Sequence, residues 1–134
     1  MTQILAPFTE LGYPKIAEDK PYYQQLLTPE YVQKLAAALQ VKFPNATFKV
    51  YESGMINFKG RYFSNILAIK PEINLTFDVR LDGQIKDDTG TIFKPFVATK
   101  IVFPDDNPAE LADWVYLETQ RKMKEVETQM RQAR

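Results

Sequence analysis

Apolar positions along the chain first recur at helical spacing and then switch to alternation. Val32, Leu35, Ala36 and Leu39 form an i, i+3, i+4, i+7 stripe behind Thr28-Pro29, a cap followed by proline at the first helical position. The spacing predicts a helix from residue 29 to about 40, ended by Phe43-Pro44-Asn45. A shorter helix is expected just before it, capped by Asp19, with Pro21 in its first turn and Tyr22, Tyr23, Leu26 and Leu27 on one face. Residues 1–20 show no period and contain Pro7, Gly12 and Pro14, so they read as an extended arm.

From Ala46 the period becomes two. Ala46, Phe48 and Val50 alternate with Thr47, Lys49 and Tyr51, and Ser53-Gly54 turns the chain into a second strand over 56–62. A third strand covers 65–69 and stops at Pro71. Over 72–82, Ile73, Leu75, Phe77, Val79 and Leu81 are expected to face the core, with Thr76 and its polar neighbours in water. Asp82-Gly83 reads as a hairpin turn leading to a short return strand, 84–86. Asp87-Asp88-Thr89-Gly90 interrupts that strand, and a last one, 96–103, is apolar on both faces and so expected at the sheet centre. Asn107-Pro108-Ala109-Glu110 opens a long C-terminal helix, acidic toward its start and basic toward its end, as its macrodipole favours.

The expected fold class is α+β: a mainly antiparallel sheet of five or six strands, two N-terminal helices and one long C-terminal helix. All 134 residues fit one domain, with the helical tail 119–134 running past the sheet.

Composition narrows the chemistry. Lys plus Arg and Asp plus Glu both number 17, and no third of the chain is strongly polarised, so no global charge draws it to nucleic acid or membrane. There is no cysteine, which excludes disulfides and thiol catalysis, and no histidine, which removes the commonest general base and zinc ligand. The N-terminal residues lack the pattern of an export signal and no apolar run approaches the ~20 residues that span a bilayer, so a cytoplasmic location is expected.

Catalytic motifs fail on context. Asp88-Thr89-Gly90 spells the aspartic-protease triplet, but Lys86 and Asp87 precede it where an apolar strand belongs, and no glycine follows Gly90. Asp and Gly in a tight loop account for it. Asp87-Asp88 and Asp105-Asp106 lack calcium-site spacing, and five isolated glycines build no phosphate cradle. No catalytic residue, metal ligand or cofactor is therefore assigned.

Two surfaces remain. Ala112, Tyr116, Thr119, Met123, Val126 and Met130 alternate at spacings of four and three, the seam of a helix pair. Tyr116, Met123, Val126 and Met130 are its candidate contacts with a protein partner or a second copy. The stretch 57–71 holds three bases, no acid and several aromatics. Lys59, Arg61, Tyr62 and Lys70 are its candidate nucleic-acid contacts, although the preferred explanation of the pattern is an amphipathic strand with Phe58 and Tyr62 in the core and Lys59 and Arg61 in water. The preferred expectation is a non-catalytic interaction or assembly module acting through its C-terminal helix. The alternatives are a nucleic-acid accessory protein, and a small-ligand carrier or atypical enzyme with a pocket between sheet and helices.

Overall fold

A computed structural model describes residues 27–51 and 53–132; the expected arm and the expected first helix lie outside these residues. Among the described residues there are two helices and five strands: α1 (Pro29–Lys42), β1 (Thr47–Val50), β2 (Ile56–Lys59), β3 (Phe63–Pro71), β4 (Phe77–Lys86), β5 (Ile92–Val102) and α2 (Pro108–Gln132). The strands form one antiparallel sheet in the order β1-β2-β3-β4-β5, each paired with its neighbour in sequence.

Thr28 begins α1 as anticipated, its Oγ1 accepting from the Tyr31 N–H at 3.1 Å. Asn107 does the same for α2, with Oδ1 accepting from the Ala109 N–H at 3.0 Å. Both helices lie on one face of the sheet. In β3 and β4 the odd-numbered side chains meet them: Phe63, Leu67, Ile69, Phe77, Val79, Leu81 and Ile85 are buried with Val32, Leu35, Leu39, Leu111 and Val115. Tyr31 stands edge-on to Phe77, and Phe43 packs on Phe58, Phe63 and Tyr116. Because Lys42 pairs with Asp113 at 2.7 Å, the end of α1 is level with the second turn of α2. The helix α2 therefore continues past its neighbour along the sheet.

Four expectations are corrected. The alternation from Ile73 belongs to a strand only from Phe77; residues 72–76 turn the chain between β3 and β4, with Glu72 N–H donating to Thr76 C=O and Leu75 N–H to Glu72 C=O. Ile73 and Leu75 are thus exposed, Leu75 with φ +66°, while Thr76 is buried. Second, Asp82-Gly83 makes no turn. Gly83 sits inside β4, opposite Asn65 on one side and Phe96 on the other, so the expected return strand is the end of β4. A side chain at 83 would collide with the Phe96 ring, which explains the glycine without any turn. Third, the last strand lies at the sheet edge, not its centre. Fourth, Phe63 rather than Tyr62 joins Phe58 in the core.

The true β4–β5 hairpin is the Asp87–Thr91 loop. Asp87 Oδ1 accepts from the Thr89 hydroxyl at 2.6 Å and from the N–H groups of Thr89 and Thr91. Those bonds, the Thr89 hydroxyl foremost, hold the carboxyl below its ordinary pKa.

Candidate functional site

The register of the sheet fixes which main-chain groups face outward at β5. Lys86 N–H donates to Tyr62 C=O and Glu72 N–H to Thr76 C=O, both at 2.8 Å. The two contacts share the β3–β4 register, in which Phe63 faces Ile85 and Pro71 faces Phe77. Even-numbered residues of β4 therefore exchange bonds with β3, and its odd-numbered residues turn theirs to β5. Through the pairs Phe77↔Val102, Leu81↔Ala98 and Ile85↔Lys94, the even residues of β5 are the bonded ones. Its odd residues aim their N–H and C=O groups away from the sheet. The bulge near Lys86 and Ile92 precedes this stretch and leaves it in phase.

Both ends of that outward row are closed. Pro95 has no N–H to offer. At the other end, Phe103 N–H donates to Asp106 Oδ2 at 2.9 Å, and its carbonyl accepts from Asp106 N–H at 3.0 Å. Between these ends stand Val97, Thr99 and Ile101. Among the described residues, none of their main-chain groups has a partner.

Their side chains lie on the sheet face opposite the helices. Val97 is 54% exposed and Ile101 64%, and Ile66 and Phe103 add to the same apolar surface. Charge beside them is balanced internally, because Arg80 donates to both carboxylate oxygens of Asp82 at 2.9 and 3.1 Å. A shallow depression of about 740 Å³ on this face is lined by Ala68, Lys70, Asp78, Arg80, Thr99 and Ile101.

The surfaces expected from sequence fall elsewhere. Along α2, Val126 is 3% exposed and belongs to the core, while Tyr116 and Met123 are half-buried against it; the Met130 side chain lies outside the described residues. The seam up to Val126 thus faces its own domain. It is completed by Thr119, whose hydroxyl donates to Val115 C=O at 2.8 Å and accepts from Asn65 Nδ2 at 3.0 Å. Asn65 is 1% exposed and its Oδ1 has no partner among the described residues. The outer face of the helix is laced with ion pairs, Glu125 meeting Lys122 at 3.2 Å and Lys94 at 3.3 Å. Lys122 first, then Lys94, hold the Glu125 carboxyl below its ordinary pKa.

The basic-aromatic set does not converge. Lys59 and Lys70 both lie on the open face, but at opposite ends of β3. Lys59 faces Ser64, and the six steps from Ser64 to Lys70 span roughly 20 Å. Arg61 lies over the Tyr62 ring at 5.2 Å, and Lys70 is 3.6 Å from Glu72.

No group of three or more metal-ligating side chains is gathered among the described residues, and none of their helices is long and apolar enough to cross a membrane. The open β5 edge was not legible beforehand. The one available signal was a β-branched strand bounded by Pro95 and Pro104, and only the hydrogen-bond phase shows which of its residues are free. Compared with known protein families, curated proteins and solved structures, the chain has no significant match to any of them.

Proposed function

We propose that this chain is a non-catalytic protein-interaction module that engages its partner along the β5 edge and the adjoining open face. One observation carries the reading: three successive outward positions combine main-chain groups that have no partner among the described residues with β-branched side chains, and both ends of the row are stopped. Folded proteins generally blunt long exposed edges, since such an edge templates pairing with another strand. Here the ends are blunted and the middle is left open. Strand addition takes its affinity from the main chain and its selectivity from alternate side chains, the two resources found at Val97, Thr99 and Ile101. The acidic loop offers little competing chemistry, because the Asp87 carboxylate is taken up by its own turn.

A photo-crosslinking residue at position 97, compared with one at the exposed Lys34 on α1, tests the reading in the cells that make the protein. Specific products from 97 and none from 34 are expected. Equal labelling from both positions, or none from 97, would sink it.

A further inference from the structure

We infer that the partner of the β5 edge is a second copy of the same chain, paired antiparallel about a two-fold axis through Thr99; this rests on the edge reading above. The open row is itself symmetric. Pro95 and Phe103, its two closed ends, are equidistant from Thr99, and Val97 and Ile101 are its equivalent neighbours. An isologous contact needs a patch that matches itself after rotation, and this one does.

In the register centred on Thr99, Val97 of each copy faces Ile101 of the other, and the two Thr99 residues face each other. All three positions present outward N–H and C=O groups, so each pair exchanges two bonds, about six in all. The side-chain pairs are β-branched with β-branched and Thr with Thr, both favourable across strands. On the helix side Lys100 meets Ala98 of the other copy, and no like charges fall opposite one another.

The neighbouring registers are worse. Outward residues are odd, so only shifts that keep odd opposite odd are permitted. Moving the axis to Lys100 sets the two Lys100 side chains face to face and matches Val97 with Phe103, whose N–H and C=O are already bonded. Moving it to Ala98 matches Ile101 with Pro95, which has no N–H. Only the Thr99 axis pairs Val97, Thr99 and Ile101 entirely among themselves. The result is a continuous ten-stranded sheet, twice the five strands of one copy.

Sedimentation equilibrium on the full chain tests this, with three variants at one residue. The parent should sediment as a dimer that dissociates on dilution. Thr99→Pro removes an N–H that β4 does not use, so the fold should persist by circular dichroism while the dimer dissociation constant rises at least about tenfold. Thr99→Lys brings two charges together at the axis and should have the same effect without touching the backbone. The chain has no cysteine, so Thr99→Cys gives a clean third readout. Directly bonded antiparallel pairs sit about 5.5 Å apart at Cα, within disulfide range, and mild oxidation should crosslink the dimer. A dimer indifferent to all three variants would overturn the register. A parent monomeric at every concentration would overturn the second copy; if residue 97 still crosslinks to another protein, the edge reading survives, and if it does not, both fall.

Discussion

Replacing Thr119 by valine should destabilise the protein only while Asn65 is present. In the parent, the Thr119 hydroxyl is the sole partner of the buried Asn65 amide among the described residues, and the Asn65 carbonyl oxygen already has none. Thr119→Val strands the whole amide in the core between β3 and α2. A side-chain hydrogen bond is lost and a buried donor left unsatisfied, at about 1–3 kcal/mol. The added methyl recovers part of this, so about 2 kcal/mol remains. Asn65→Leu keeps the branched shape and removes both orphans. Thr119 still bonds Val115 C=O, so this change should lie within about 1 kcal/mol of the parent, the remainder being mild crowding near Gly83. In the Asn65→Leu background Thr119→Val should then cost almost nothing, a coupling of about 2 kcal/mol. Urea unfolding of the four proteins measures it, and the single Thr119 variant should melt about 6–10 °C lower. Equal cost of Thr119→Val in both backgrounds would refute the reasoning.

Three further outcomes are expected. Gly83→Ala should cost about 1–3 kcal/mol in thermal melts, because its methyl meets the Phe96 ring, and Phe96→Leu should reduce that cost; absence of rescue would deny the contact. Burial first, and the Asp106 charge second, push the Tyr31 hydroxyl up to about 12. The buried hydroxyl is therefore neutral to stability below pH 10, and the fold loses stability as the pH rises from about 10 to about 12, by about 2–3 kcal/mol. Tyr31→Phe should match the parent at neutral pH, since that hydroxyl has no partner among the described residues, and should lose less stability on raising the pH. Leu75→Gly should stabilise by about 1 kcal/mol by relieving φ +66°, and Leu75→Asp should be mild where Phe77→Asp prevents folding.

Sequence carried the two helices of the described residues well because their signals are local. The caps Thr28 and Asn107 act within three residues of themselves, and the apolar stripe of α1 reports its buried face directly. Alternation also identified Phe77, Val79 and Leu81 correctly, but could not show that Ile73 and Leu75 continue the pattern across a turn. Asp82-Gly83 misled for the same reason: turn chemistry is read from two residues, whereas Gly83 is explained by Phe96 across the ladder. The bond that Thr119 makes was invisible to helix periodicity, since its partner, Asn65, lies on β3 and 54 residues away. The edge was the least legible feature of all. Which of Val97, Ala98, Thr99 and Lys100 has free main-chain groups depends on a hydrogen-bond phase set two strands away.

Residue-resolved amide hydrogen exchange on β5, followed from dilute to concentrated protein, tests the open edge most directly. In dilute solution the amides of Phe96, Ala98, Lys100 and Val102 should be protected by β4, while those of Val97, Thr99 and Ile101 exchange quickly. As concentration rises, the fast set should slow with a midpoint at the dimer dissociation constant measured by sedimentation, and the protected set should change little. Protection of Val97, Thr99 and Ile101 already complete in the dilute monomer would mean that the edge is covered within the chain and would contradict the account.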